Sequence, residues 1–263
     1  MRRLGIIGYG HMGRAIVGGL RREEEGLEFG VVEKVPARLE EARADGAADF
    51  SDRIAELAEW AEVVVLAIKP QDLTAFAESV GSGLSGANLV SILAGTRMQS
   101  IESLLKPRRL CRFMPNLAAL IGEAGVGVSF AGGSRDEEFR GNALAVAEAI
   151  GTPVEVREQL LAAITGVSGS GLAYAFRFIH GLALGGTMEG LTYEQALETA
   201  IQMVSGAAAL LRQGGEHPEA MLSKVTSPGG TTIAGVKELE EGAFTDAVMN
   251  AVSAAARRAR QME

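Results

Sequence analysis

Through the first 155 residues, short apolar runs alternate with segments of helical period. Residues 4–7, 29–32, 47–50, 63–68, 88–93, 109–113 and 126–130 read as strands, and Thr152-Pro153-Val154 closes the series. The unbroken Val/Leu/Ile content of 63–68 marks a strand covered on both faces. Between these runs, Ile16, Val17 and Leu20, then residues 37–43, 53–60, 72–80 and 138–149, have helical spacing. Ser134 and Glu137 have the spacing of a capping box ahead of the last helix. Eight strand-like runs in this arrangement predict an α/β fold, a doubly wound parallel sheet.

After Val154 the strand signals stop, and residues 159–164 begin a helical half. Thr192 and Gln195 again have capping-box spacing, ahead of an apolar face of Leu197, Ala200, Ile201, Val204, Ala208 and Leu211. Phe244, Ala247, Val248, Ala251, Val252 and Ala255 form another such face. Residues 172–184 are apolar nearly all round. One chain cannot bury that much helical surface, so a shared dimer interface is expected.

Two breaks interrupt these helices. At 226–232, Thr-Ser-Pro-Gly-Gly-Thr-Thr places a proline, two glycines and several hydroxyls ahead of a resumed helical pattern at 233–239. Such a start leaves amide N–H groups for a small anionic or polar ligand, although a plain interhelix turn has the same composition. At 165–171, Thr-Gly-Val-Ser-Gly-Ser-Gly reads as a second small-residue helix start, able to hold a carboxylate through its amides or to serve close helix packing.

The first strand runs into Gly8-Tyr9-Gly10-His11-Met12-Gly13 and then a helix, which is the context a dinucleotide-binding G-x-G-x-x-G turn requires. Glu33, twenty residues beyond Gly13, stands where an acid hydrogen-bonds a ribose 2′-hydroxyl. That favours NAD over NADP, while Lys34 beside it supplies the opposite sign. Ala67, Ile68, Lys69 and Pro70 lie at the carboxyl end of a central strand, the ligand-binding edge of open α/β sheets. These features divide the chain into a dinucleotide-binding Rossmann domain, 1–155, and a helical dimerisation and substrate domain, 156–263.

Composition narrows the picture further. A formal charge of −8 argues against a nucleic-acid surface. The basic clusters at 2–3, 108–109 and 257–260 then read as solvated faces or phosphate neighbours. A lone cysteine, Cys111, permits no intramolecular disulfide and fits a reducing compartment. No apolar run suggests a bilayer span, and Gly8 and Gly10 break the only candidate leader, so a soluble cytoplasmic protein without membrane or nucleic-acid partners is expected. His11, His180 and His217 are scattered without metal-ligand spacing, so no metal is expected, and His180 reads as a core residue.

Gly8–Gly13, Ala67-Ile68-Lys69-Pro70, Met114-Pro115-Asn116, Ser168-Gly169-Ser170-Gly171 with Ala173-Tyr174, and His217-Pro218 leading to 225–232 together resemble the pyrroline-5-carboxylate reductase family, in order and at family-like spacing. The resemblance implies a Rossmann domain, a helical dimerisation domain, often a ring of five dimers, and NAD(P)H-dependent reduction of 1-pyrroline-5-carboxylate to proline. It implies that Asn116 belongs to the cofactor site and that Thr232 hydrogen-bonds the ring nitrogen. The amides of Gly230 and Thr231, with Ser168, Gly169, Ser170 and Gly171, would hold the carboxylate. Departures fall beside this pocket. Leu117-Ala118 replaces Thr-Pro, Leu172 replaces Pro, His11 replaces Asn or Gln, and a family Asn is replaced near Ser51-Asp52. They leave a different cyclic imine open as the substrate. Two rival readings are a β-hydroxyacid-dehydrogenase-like enzyme, which would need a lysine acid where only Lys224 and Lys237 stand, and a non-catalytic dinucleotide sensor.

Overall fold

A computed structural model describes residues 1–23, 26–133 and 135–263. Eight strands among them, β1 (Arg3–Ile7), β2 (Glu28–Val32), β3 (Ala48–Asp49), β4 (Val63–Leu66), β5 (Asn88–Ser91), β6 (Arg109–Met114), β7 (Ala124–Phe130) and β8 (Gly151–Glu155), form one sheet in the order β3-β2-β1-β4-β5-β6-β7-β8. The alternating helices are α1 (His11–Glu23), α2 (Pro36–Ala44), α3 (Ile54–Trp60), α4 (Leu73–Val80), α5 (Met98–Leu105) and α6 (Glu137–Glu148). This is the expected doubly wound sheet with one correction: β7 pairs antiparallel to β6, while every other pairing is parallel. Only residues 115–123, wound into a short 3-10 turn at Leu117–Ile121, separate the two strands. That is too short for the crossover a parallel partner needs, so the chain folds back.

Helix α5 was not anticipated, yet Met98, Ile101 and Leu105 bury one face at helical spacing. Helix α6 is capped by Asp136, which accepts from the Phe139 N–H at 3.1 Å. The expected cap Ser134 lies outside the described residues. Apolar cores cover both sheet faces, one built on Ile6, Val31, Val65 and Phe113, the other on Ile7, Val64, Leu66 and Leu89.

The chain divides into two compact units, Met1–Gly169 with Ala254–Glu263, and Ser170–Ser253. The first unit thus reaches beyond residue 155. The short helix α7 (Leu161–Ile164) buries Leu161 and Ala162, and Ser168 Oγ donates to Gly125 O at 2.7 Å, so residues up to 169 pack on β7.

The second unit contains α8 (Gly171–Met188), α9 (Tyr193–Gly214), α10 (Pro218–Val225), α11 (Thr231–Glu241) and the first turns of α12 (Phe244–Met262). The capping box at α9 is present, with Gln195 N–H on Thr192 Oγ1 at 3.3 Å and Thr192 N–H on Gln195 Oε1 at 3.0 Å. Tyr174 donates to Ala251 O at 3.2 Å, and Phe178 packs on Phe244 at 5.7 Å between ring centres. Among the described residues of this unit only Ala183, Ala196 and Ala200 are buried, while Phe176 is 60% and Met188 85% exposed. An apolar groove of about 700 Å³ is lined by Tyr174, Phe178, Leu239, Phe244 and Val248. Contrary to the sequence reading, the helical stretch Glu158–Met188 is long and apolar enough to cross a membrane by length and composition.

Candidate active site

The turn after β1 is built by its glycines, each differently. Gly8 has φ +97°, and a Cβ there would sit 2.8 Å from Ala67 O. At Gly13 a Cβ would meet Gly8 O at 2.5 Å, so helix α1 packs on its own strand only because that position is bare. At Gly10 the nearest atom is an Arg38 guanidinium nitrogen, 4.0 Å away. The two outer glycines serve packing, and the middle one faces open space. With His11, Met12 and Gly13 starting a thirteen-residue helix that has no acid in its first turn, this cradle fits a pyrophosphate.

Two residues of this turn are placed differently from expectation. The Tyr9 side chain is 1% exposed, stacks on Phe29 and donates to Asp45 at 2.8 Å, so it belongs to the core. Burial, and then the Asp45 carboxylate, push its phenol well above the ordinary range. Glu33 is 7% exposed, and its carboxylate accepts the Tyr9 N–H at 2.7 Å and the Val35 N–H at 2.8 Å. A carboxylate this buried must be hydrogen-bonded, and the nearest donors are amides. Glu33 therefore braces the glycine turn instead of standing free as a ribose acceptor. Ser51, where the family Asn was sought, donates to Glu33 O at 3.3 Å. Lys34 is paired with Asp72 at 3.0 Å. Arg38, missed in the sequence, is exposed on the first turn of α2 with no ion-pair partner among the described residues. Its only sequence signal was a basic residue five positions beyond Glu33.

The end of β4 lies where the sequence put it. Ala67 N–H donates to Ile7 O at 2.8 Å, Ile68 packs on the core, and Lys69 and Pro70 are exposed at the start of the turn Pro70–Asp72. The end of β6 carries Asn116, whose side chain is fully engaged. Its Nδ2 donates to Ser168 Oγ at 2.9 Å and to Ser168 O at 3.1 Å, while Oδ1 accepts the Ala118 N–H at 3.0 Å. The expected open helix start at 165–171 is corrected. Thr165–Gly169 wind into a π turn, and Ser170 ahead of Gly171 has helical angles, φ −80° and ψ −25°. The small residues serve a widened turn of the kind often found at functional sites. A Cβ at Gly169 would meet Met114 Cε at 3.6 Å.

In the second unit, Ser227–Gly230 form a type II turn, with Gly229 at φ +68° and Gly230 N–H on Ser227 O at 3.0 Å. Helix α11 starts at Thr231 behind Gly230, whose lack of a side chain leaves the first amides uncapped. The Thr231 and Thr232 hydroxyls are exposed and have no intramolecular partner among the described residues. Lys224 pairs with Glu216 and Lys237 with Glu241, both at the surface, so neither is poised as an acid. His217 caps α10, and His180 bonds Tyr193 at 3.0 Å. Cys111 is buried, which pushes its thiol far up and leaves it inert.

A Rossmann sheet with an open phosphate cradle, joined to a helical unit, defines a dinucleotide-dependent oxidoreductase. Residues 158–262 match the pyrroline-5-carboxylate reductase dimerisation family, and residues 3–95 match the family described as NADP oxidoreductase, coenzyme F420-dependent. Over 262 residues the chain is 39% identical to the pyrroline-5-carboxylate reductase of Synechocystis sp., covering 99% of this chain and 98% of that one. A solved pyrroline-5-carboxylate reductase from Coxiella burnetii superposes with TM-score 0.91 at 28% identity, over 99% and 98% of the two chains. The Plasmodium falciparum enzyme, solved with NADP bound, gives TM-score 0.81 at 25% identity, over 99% and 98%. The chain belongs to the pyrroline-5-carboxylate reductase family.

Proposed function

We propose that this chain catalyses the NAD(P)H-dependent reduction of 1-pyrroline-5-carboxylate to L-proline, the final step of proline synthesis, as a cytoplasmic homodimer. The observation that carries the site assignment is the uncapped start of α11, where the Thr231 and Thr232 hydroxyls have no internal partner.

The dinucleotide, when bound, supplies the hydride that the ring C=N accepts. Gly10 and the amides of His11, Met12 and Gly13 would hold its pyrophosphate, at the sheet edge formed by the ends of β1 and β4. The amides of Gly230 and Thr231, at the uncapped start of α11, would hold the substrate carboxylate. The Thr232 hydroxyl would hydrogen-bond the ring nitrogen. A cyclic imine can enter protonated or take its proton from water, so no side-chain acid is required. Positioning of this kind accounts for about 7–11 kcal/mol of a barrier when the reactants are well aligned.

Dimerisation through the helical domain is supported by the exposed apolar face of α8 and the groove beside it. The deciding experiment follows NADH and NADPH oxidation with pyrroline-5-carboxylate and with its six-membered-ring analogue. The expected result is saturable oxidation with the five-membered ring. Turnover of only the six-membered ring would reassign the substrate, and none with either would end the proposal.

A further inference from the structure

Arg112 sits in the middle of β6, beside Ser91 of β5 and Ser129 of β7, with a side chain only 3% exposed. Its guanidinium meets Glu158 Oε1 at 3.2 Å and Glu263 Oε1 at 3.0 Å. Both carboxylates continue toward one loop. Glu158 Oε1 also accepts the Met98 N–H at 2.6 Å, and Glu263 Oε2 lies 3.7 Å from Arg97 Nε. The same loop touches α12, because a Cβ on Gly95, at φ +66°, would be 3.2 Å from Met262 O.

That loop, residues 92–97, leaves the carboxyl end of β5 next to β4, since Ile92 N–H donates to Leu66 O at 3.2 Å. It therefore lies on the ligand edge of the sheet. The amides of Ala94, Gly95 and Thr96 have no intramolecular acceptor among the described residues, and Ala94 is exposed while Gly95 and Thr96 are half-buried. Arg112 is buried while its two carboxylate partners are partly exposed, and such an ion pair often adds no stability over apolar residues of equal volume, so stability alone is a poor reason for it.

We propose that Arg112 is a positioning residue: through Glu158 and Glu263 it fixes the β5–α5 loop so that its free amides meet the carboxamide of the nicotinamide ring. The inference rests on the dinucleotide reading above. Arg112 touches neither cofactor nor substrate, and its effect passes through Met98, Arg97 and Gly95. Adenosine binding at the glycine turn is independent of it.

The test compares the whole protein with Glu158→Gln, Glu263→Gln, Arg112→Met and Arg112→Lys. Binding of NAD(P)+ and of ADP-ribose, which lacks nicotinamide, is measured by calorimetry, and amide exchange at 94–98 is followed without ligand. The expected result is NAD(P)+ affinity about tenfold weaker in both Gln variants, the loss of one hydrogen bond's worth, with ADP-ribose unchanged. Exchange at Met98 should quicken in Glu158→Gln, and Lys should retain more NAD(P)+ affinity than Met. Equal loss of both ligands, a Met variant as good as wild type, or unchanged NAD(P)+ affinity in folded Gln variants would each overturn the proposal. Wild-type protein that binds NAD(P)+ but reduces no imine would sink the assigned reaction while leaving this inference standing. Protein that binds neither ligand would sink both.

Discussion

Asn116 and Ser168, fifty-two positions apart in sequence, are joined twice by one side-chain amide, to the hydroxyl and to the carbonyl of the serine. The same Asn116 caps the turn at Leu117–Ile121 through its oxygen. One residue thus ties the end of β6 to the π turn. Asn116→Asp separates the two duties, because aspartate keeps the cap and loses both donors. The expected outcome is a KM for the imine raised about tenfold, as for a lost hydrogen bond, with cofactor KM unchanged. Steady-state kinetics with each substrate varied in turn checks this.

Thr232→Ala removes a hydroxyl that the fold itself does not use. Turnover should fall about 10²-fold, as for other lost donors to a reacting group, with cofactor affinity and Tm near those of the parent. Single-turnover measurements at saturating imine decide the point. Unchanged turnover removes Thr232 from the mechanism.

Glu33 braces the glycine turn, while Arg38, to which the sequence reading gave no part, is exposed at the start of α2. Glu33→Gln turns an amide N–H group toward the Tyr9 or Val35 N–H and loosens the glycine turn, so NADH and NADPH should weaken together. Arg38→Ala should cost NADPH more than NADH, by about 1 kcal/mol for an exposed guanidinium–phosphate contact. The ratio of kcat/KM for the two cofactors reads both effects.

The Tyr9 phenol holds its proton above the value of about 10 that the unfolded chain would show. The folded state therefore keeps a proton that the unfolded state releases, and stability falls as pH rises past that value. Tyr9→Phe should remove the Tyr9 share of this alkaline slope, leaving that of the buried Cys111 thiol, and cost about 1 kcal/mol at neutral pH through the lost bond to Asp45. Denaturant titrations at neutral and alkaline pH check both effects.

Phe176→Glu places a charge on the exposed apolar face of α8. If that face is shared between subunits, the variant should elute as a monomer where the parent is a dimer, as light scattering after gel filtration would show.

Much of this was readable beforehand because it depends on local pattern. Apolar runs gave the strands, and Gly8, Gly10 and Gly13 announced their turn by their spacing between a strand and a helix. What escaped depends on distant partners. Nothing near Glu33 reveals that the Tyr9 amide takes its carboxylate, and nothing near Arg112 points to Glu158 or Glu263. The reversal of β7 was missed because the runs read as strands, 109–113 and 126–130, leave residues 114–125 between them, about the dozen a crossover needs, whereas the strands that form leave only 115–123. The small residues of 165–171 resembled a helix break, yet they suit an overwide turn equally well.

The reversal of β7 has a practical corollary. A strand leading back from the ligand edge delivers residues 131–133 to the far rim of the sheet, beside the start of β6. That rim is a natural place to splice in a reporter peptide, remote from the nucleotide.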